Sequence, residues 1–392
     1  MDKRILLLYG TVFINIMSFG MVFPLIPLFV EKFGATAFDI GLLAALFSIA
    51  QFIAAPIMGR VSDRFGRKPL IIFSIITAMA SFVLTAIAPN LIVVHVARFL
   101  YGVASAGNYP IAIAYIADIT SPEKRAEYIG KVSAMFAVGF MFGPVMGGVL
   151  GGFGLSVAFL AAAFVSLLNL IFVLTLLPES ISIKTEKLVI RQGLFNIKEI
   201  YHGFRGDFGV LFFILFTWAF YVANFQVAIP LFLEEMFRLG PFGAGVFFSV
   251  VGATAAITQW FLLPKVLKRF GEMRTILYGI VLMILGQAFA PLLPFLVFFY
   301  FFFIISIIGS GLNRPTVNAM LSRATHAGQG ATLGLAFSFE SLGRIAGPLL
   351  AGAVMGTFGL ASPFWLTTAM LVLTLFFFWR VEMRRGKLAP LL

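Results

Sequence analysis

Long apolar stretches alternate with short polar ones along the whole chain of 392 residues. A helix needs about 20 apolar residues to cross roughly 30 Å of hydrocarbon. Leu, Phe, Gly and Ala dominate these stretches, whereas a membrane β-barrel shows weak alternation over segments of about ten residues. The pattern therefore predicts twelve transmembrane helices, at residues 5–30, 38–58, 70–88, 91–117, 129–152, 154–177, 208–233, 242–263, 275–293, 294–320, 329–355 and 358–380.

The composition supports an all-α integral membrane protein. Hydrophobic residues make up 61% of the chain and charged residues only 11%, whereas soluble domains are near half apolar and about a quarter charged. Too little polar surface is present to coat a particle that faces water on all sides. This excludes a soluble enzyme, a nucleic-acid-binding domain and a disordered protein.

The formal net charge of +12 reflects topology rather than nucleic-acid binding. If alternate loops face opposite sides, one side receives 23 of the 28 basic residues, and the other receives only Lys32 and Arg238. Such an excess marks the cytoplasmic side. We expect a multi-pass protein of a prokaryotic inner or plasma membrane, with both termini cytoplasmic and the lipid bilayer as its partner.

The two halves of the chain resemble each other. A shift of about 205 residues superimposes Arg64-Phe65-Gly66 on Arg269-Phe270-Gly271, and Asn108 and Pro110 on Asn313 and Pro315. Gly143-Pro144 matches Gly347-Pro348 with a slip of one residue. We expect six-helix halves at 1–178 and 208–392, joined by a cytoplasmic linker at 179–207. Such a repeat places the substrate site at the seam between the halves, near the bilayer midplane.

A short polar segment between spans 2 and 3 carries a specific pattern. Its marked positions are Gly59, Asp63, Arg64, Gly66 and Arg67. An ordinary cytoplasmic loop also collects cations, but it does not require Gly-x3-Asp-Arg-x-Gly-Arg-Lys. The pattern resembles the signature loop of the major facilitator superfamily, and the twelve spans, the linker and the repeat agree with that resemblance over the whole chain. The copy in the second half carries Lys268 in place of Asp63.

The resemblance implies a fold of two pseudo-symmetric six-helix halves and a conformational latch. In that latch Asp63, Arg67 and Asp118, which ends span 4, hold the inner helix ends together in the outward-facing state. The glycines of the segment are expected to form a short turn. The alternative is an ordinary surface ion pair, worth under about 1 kcal/mol.

Span 5 carries a second pattern, which is similar to a motif of the drug:proton antiporter branch of that superfamily. Its members are Gly139, Gly143, Pro144, Gly147 and Gly148. Glycines at a spacing of four residues let helix backbones approach closely, and a proline bends a helix. The resemblance implies a tight seam with span 8 that marks exporters. The alternative is the small-residue packing that is common to membrane bundles.

Charges inside the spans are candidates for proton coupling. Arg98 begins Arg-x3-Gly, which resembles another motif of the antiporter branch, whose arginine is implicated in proton transfer; a helix-packing cation is the alternative. Glu340 is the only acid deep within a predicted span, and Arg344 lies on the same helix face at i+4. Burial disfavours the carboxylate and an arginine favours it. Arg314 is a competing partner, and a static ion pair is the alternative to a coupling site.

Span 1 lacks the membrane acid that many antiporters of this branch carry. If protons drive transport, Glu340 or Asp118 must therefore carry them. Several polar side chains in the spans are candidates to line a substrate cavity. They are Asn15, Gln51, Asn108, Asn224, Gln226, Gln259, Asn313 and Arg314.

These features predict a secondary active transporter that exports small amphipathic or hydrophobic compounds in exchange for protons, in the manner of multidrug efflux. We expect a monomer whose partners are a small-molecule substrate and the proton, with no enzymatic activity, no cofactor and no metal. The chain has no cysteine and no phosphate-binding loop of the Walker type. Two alternatives stay open: export of a sugar or other polar metabolite, and a lipid-scrambling protein or non-transporting receptor.

Overall fold

The computed structural model describes residues 3–180, 208–324 and 329–384, and within these ranges every regular element is helical. The predicted segment 181–207 lies outside them. The long helices are α1 (Lys3–Val22), α2 (Ala37–Phe65), α3 (Arg67–Ala86), α4 (Leu91–Ile119), α5 (Pro122–Gly151), α6 (Leu155–Leu176), α7 (Gly209–Phe237), α8 (Gly240–Ile257), α9 (Leu263–Phe289), α10 (Leu296–Ala324), α11 (Gln329–Phe358) and α12 (Ser362–Arg384).

The first span is longer than α1. Helical turns at Phe23–Leu25, Ile26–Val30 and Glu31–Phe33 continue it. Pro24 and Pro27 each stand in the first turn of one of these pieces, where the missing N–H of proline costs no helical hydrogen bond. The span ends at Gly34, which has a left-handed backbone with a φ of 70°.

Two of the predicted span ends are wrong, because helices continue past the apolar stretch. The prediction ends span 2 at residue 58, but α2 runs to Phe65. It ends span 8 at residue 263, but α8 continues through a π-helical turn, Thr258–Leu262, into α9, and the helix breaks only at Gly271. A helix needs no apolar residues once it has left the hydrocarbon, so polarity alone does not mark its end.

Glycines with a positive φ occur at matching places in the two halves. Gly66 and Gly271 have φ values of 105° and 74°, Gly154 and Gly359 have 135° and 86°, and Gly34 and Gly240 have 70° and 59°. Each pair is separated by about 205 residues in the sequence. Because L side chains rarely adopt this conformation, the repeat extends to the backbone of the turns.

Ten stretches of the described chain are long and apolar enough to cross a membrane. One of them, Gly240–Leu292, has 53 residues and contains the break at Gly271. The helix α11 adds a further 30 residues. The all-helical membrane fold is therefore confirmed, and the described helices are consistent with twelve spans.

The helices form two compact units. Among the described residues, the first unit contains 3–36, 46–180 and 238–252, and the second contains 37–45, 208–237, 253–324 and 329–384. Each unit therefore includes a short segment from the other half of the sequence. The division into halves at 178 and 208 stays a prediction.

Each unit has its own apolar core, crossed by equivalent polar bonds. In the first unit, Ile75, Tyr115 and Val173 belong to one buried cluster, and Asn169 of α6 donates to the carbonyl of Thr11 at 3.3 Å. In the second unit, the hydroxyls of Thr217 and Thr374 pair at 2.8 Å. Interhelical bonds of this kind satisfy polar groups that lipid cannot.

Candidate functional site

A buried arginine at the end of α3 joins three polar groups in the first unit. The guanidinium of Arg67 contacts Asp63 at 2.6 Å through Nη1 and Asp118 at 3.0 Å through Nε. Nη1 also donates to the hydroxyl of Ser62 at 2.5 Å. The Arg67 side chain is 10% exposed, against 55% for Asp63 and 25% for Asp118. The structure thus brings together the three residues that the sequence assigned to a latch.

Glu179, which the sequence analysis placed at the start of the linker, completes this cluster. Its carboxylate accepts from the backbone N–H groups of Arg67 at 2.8 Å and Lys68 at 3.2 Å. It therefore caps the N-terminus of α3, where a negative charge is favoured. The next residue, Ser180, donates to Asp118 at 3.0 Å. The sequence contains no signal for this contact, because its two partners are more than 100 residues apart.

Only one glycine of the signature segment forms the turn. Gly59 lies inside α2, with nothing within 4 Å of a Cβ built on it. This corrects the expectation that it helps to form the turn. Gly66 alone leaves the helical conformation, and a Cβ there would meet the Glu179 carboxylate. Arg64 lies over the ring of Phe65, with its Cζ 5.4 Å from the centroid, rather than in the Arg67 cluster.

The glycines of α5 divide between two neighbours, which corrects the single seam with span 8. Gly139, Gly143 and Gly147 face α1. A Cβ on Gly139 would lie 2.8 Å from the carbonyl oxygen of Phe13, and one on Gly143 would lie 2.5 Å from that of Met17. Steps of four residues keep side chains on one helix face, and in α5 that face packs against α1.

Gly148 and Pro144 are the members of the pattern that contact α8. A Cβ on Gly148 would lie 2.7 Å from the carbonyl oxygen of Pro241 and 3.3 Å from Cα of Gly245. A Cβ on Gly245 would meet the carbonyl of Pro144. Nearby, Ser249 donates to the carbonyl of Met141 at 2.6 Å. The two helices therefore touch at backbone distance within the first unit.

The second unit contains the equivalent contact between α2 and α11. A Cβ on Gly41 would meet the carbonyl of Pro348, and a Cβ on Gly352 would lie 3.0 Å from Cα of Phe38. Gly352 corresponds to Gly148 in the repeat. The close approach seen at the antiporter motif is therefore made twice, once in each unit.

Arg98 is buried among aromatic rings of the first unit. The residue is 6% exposed, and its Cζ lies 5.2 Å from the ring centroid of Phe47 and 5.9 Å from that of Tyr101. Its Nε has no hydrogen-bond partner. Aromatic faces attract a guanidinium, so these rings compensate part of the burial of the charge.

Glu340 lies between two arginines in the second unit. Arg314 of α10 binds it with two parallel bonds, Nε to Oε1 at 2.9 Å and Nη2 to Oε2 at 3.1 Å. Arg344 adds a contact from Nη2 to Oε2 at 2.6 Å. The side chain of Glu340 is only 4% exposed, whereas that of Arg314 is 43% and that of Arg344 is 29% exposed. The group carries two positive charges and one negative charge.

Trp218 of α7 supports this group, although the sequence analysis did not single it out. The Cζ of Arg314 lies 4.7 Å from the Trp218 ring centroid, and the indole N–H donates to the hydroxyl of Ser310 at 2.8 Å. The Arg314 guanidinium therefore has a carboxylate at one edge and an aromatic ring over one face. Its partners come from α7 and α11, so the spacing along one helix contains no sign of them.

The predicted cavity residues lie in different surroundings. Asn224 is 1% exposed and donates to Thr367 at 2.9 Å and to the carbonyl of Pro363 at 3.2 Å. Asn313 is also 1% exposed and donates to the carbonyl of Ile276 at 2.9 Å. Both side chains thus join neighbouring helices of the second unit. Gln226 is partly buried, and Gln259 is exposed.

In the first unit, two of the predicted cavity residues line one small pocket. Asn15 and Asn108 share it with aliphatic side chains of α1, α3 and α4, and the Oδ1 atom of Asn108 has no partner. Gln51 instead donates to the hydroxyl of Ser105 at 3.1 Å. The structure therefore brings together only two members of the predicted cavity set in this unit.

A family model decides the classification. The model of the Major Facilitator Superfamily matches residues 8–345. The chain belongs to the Major Facilitator Superfamily. Among curated members, the class C tetracycline resistance protein of Escherichia coli is 32% identical over 364 residues, which is 90% of each chain. Multidrug resistance protein 2 of Bacillus subtilis is 28% identical and covers 88% of this chain and 87% of its own.

Solved structures agree on the Major Facilitator Superfamily fold. The nucleoside transporter NupG superimposes with a TM-score of 0.82 at 15% identity, over 96% of this chain and 99% of that one. The human organic anion transporter MFSD10 gives 0.71 at 20% identity, with the same coverage. At these identities the likeness establishes the fold alone.

Proposed function

We propose that this Major Facilitator Superfamily member exports small amphipathic or hydrophobic compounds in exchange for protons. Tetracycline, multidrug and quinolone resistance proteins are 27–32% identical to it over most of their length. Alternating access would rock residues 1–178 against 208–392, with both termini and the linker in the cytoplasm and the monomer as the working unit. The alternatives, a polar metabolite exporter and a scrambling or receptor protein, become outcomes of the test below.

One observation carries the proton-coupled reading: Glu340 is a buried acid whose partners can change. Arg314 is ten residues from the end of α10, so it lies about 15 Å along the helix from that end. A charge at such depth is costly and marks functional sites in membrane proteins. Paired with both arginines, the carboxylate is stabilised as the anion; when Arg314 moves away, burial favours the proton.

A proton that enters the cell brings useful energy. The membrane potential contributes about 2.3 kcal/mol per charge for each 100 mV. For antiport, the substrate must bind while Glu340 is ionised and leave once it is protonated. The Arg67 cluster, on this proposal, holds the inner helix ends of the first half in one of the two states.

The test is transport in liposomes that contain the purified protein, with and without an imposed pH gradient. We expect the parent to concentrate amphipathic dyes and Glu340→Gln to lose this pH-driven uptake, because the neutral side chain can no longer exchange a proton. Binding of the dye and its downhill exchange should persist. Glu127→Gln is the matched control, since Glu127 is an exposed acid paired with Lys131 at 2.6 Å.

Uphill transport that survives Glu340→Gln would move the proton site elsewhere, with Asp118 next in order. Transport of sugars or other polar metabolites, but not of dyes, would instead favour the polar metabolite exporter. Movement of lipid probes alone, without either substrate class, would contradict transport of small molecules.

A further inference from the structure

We propose that Arg314 binds an anionic group of the substrate, so that this transporter prefers amphipathic compounds that carry a carboxylate or similar acid over purely cationic ones. The inference rests on the proposed export function and names its substrate class. It is drawn from the charge balance, the free edge of one guanidinium and a comparison between the two repeats.

The charge balance of the cluster favours an anion. Glu340 contributes one negative charge, and Arg314 and Arg344 contribute two positive charges, all within contact distance. Because Glu340 is only 4% exposed and bonded to both arginines, a cationic ligand cannot reach its carboxylate without breaking these bonds. An anion, in contrast, would neutralise the remaining positive charge.

Arg314 has donors to offer while Glu340 stays in place. Glu340 uses the edge formed by Nε and Nη2, which leaves Nη1 unengaged by that carboxylate. A guanidinium has five N–H donors in a rigid planar fork, and 43% of this side chain is exposed. Trp218 covers one face at 4.7 Å, so the fork is held in orientation. Glu340 and Trp218 act as positioning residues for it.

The first half shows that packing does not require these charges. In the repeat, Arg314 corresponds to Tyr109, and Glu340 corresponds to Phe136 with the one-residue slip of this helix. Tyr109 and Phe136 form an aromatic pair with ring centroids 5.5 Å apart. An apolar pair therefore fills the place that the ion pair fills in the second half. Buried ion pairs are often no more stabilising than such apolar pairs, so a role in binding explains the charges better than stability does.

Two dyes that differ in one acidic group provide the test. The free acid of a rhodamine and its ethyl ester share the same cationic ring system, but only the acid has a carboxylate. Binding to the purified full-length protein in detergent is measured by fluorescence anisotropy. We expect the parent to bind the acid about tenfold more tightly than the ester, the effect of one charge-assisted hydrogen bond.

Three variants separate recognition from folding. Arg314→Gln should reduce the ratio of the two dissociation constants to about one, and Arg314→Lys should restore part of the preference, because it keeps the charge but not the fork. The double variant Arg314→Tyr with Glu340→Phe installs the pair of the first half. It should fold, bind both dyes and show no preference for the acid.

Two results would overturn this inference: an ester that binds to the parent as tightly as the acid, or an acid preference that survives Arg314→Gln. Export of both dyes from liposomes without preference would also overturn it, but would leave the export function standing. Failure to transport any compound would contradict the export function, whereas the binding ratio in detergent would still decide the role of Arg314.

Discussion

Glu340 has one partner that the sequence predicts and one that it only suggests. Arg344 follows at i+4, and helix geometry alone brings such pairs together, as it does for Asp63 and Arg67. Arg314 was a candidate because of its charge, but its contact depends on how α10 packs against α11. Residues that are neither charged nor patterned, such as Trp218, could not be selected, since their role comes from neighbours on other helices.

The two acids that bind Arg67 should differ in their contribution to stability. We expect Asp118→Asn to lower the free energy of unfolding by about 1–2 kcal/mol, because it weakens a charge-assisted bond to a mostly buried guanidinium. Asp63→Asn should cost under about 1 kcal/mol, since Asp63 is 55% exposed. Thermal unfolding of the purified variants measures the difference. Equal shifts for the two variants would contradict the assignment of Asp118 as the stronger partner.

Helices were predicted well where apolar length decides and less well where polar helix ends extend beyond the hydrocarbon. The extension of α2 to Phe65 and the continuous path from α8 to Phe270 show why. The glycine spacing of α5 correctly predicts close packing, because a period of four residues marks one helix face. It cannot predict the partner, and three of these glycines pack against α1 rather than α8.

Substitutions in α5 should therefore affect different neighbours. Gly148→Leu places a side chain against the backbone of α8, and Gly143→Leu does so against α1. We expect each to destabilise the protein by about 1–3 kcal/mol, with Gly148→Leu also impairing transport through the α5–α8 contact. Gly130→Leu is the control, because nothing lies within 4 Å of its Cβ position. Melting temperatures and dye flux are measured for all three, and normal behaviour of Gly148→Leu would contradict the close approach.

At the scale of the whole molecule, charge and repetition are the features that a sequence preserves best. The excess of basic residues in alternate loops predicts the orientation without any knowledge of packing. The repeat predicts equivalent turns, and the paired glycines at 66 and 271 have the expected backbone. Which segments complete each compact unit was not predictable, since residues 37–45 and 238–252 join the unit of the opposite half.

The orientation can be tested with single cysteines, because the natural chain has none. We expect a cysteine at position 64 to react with an impermeant thiol reagent only after the cells are opened. A cysteine at position 238 should react in intact cells, since Arg238 belongs to a predicted outer loop. The extent of labelling is read by mass shift on a gel. The opposite pattern would invert the topology and the direction of proton movement.

The matched contacts of Gly148 with α8 and Gly352 with α2 have a geometric consequence. In each, the end of a Gly-Pro helix meets the start of the helix that is second in the other repeat. One repeat thus carries both surfaces of the contact, the donor face and the acceptor face. Two identical copies would satisfy both surfaces at once, which is the condition for an isologous and closed homodimer. Fusion of the copies in one chain keeps that self-complementary interface while allowing only one copy to acquire the charges around Glu340.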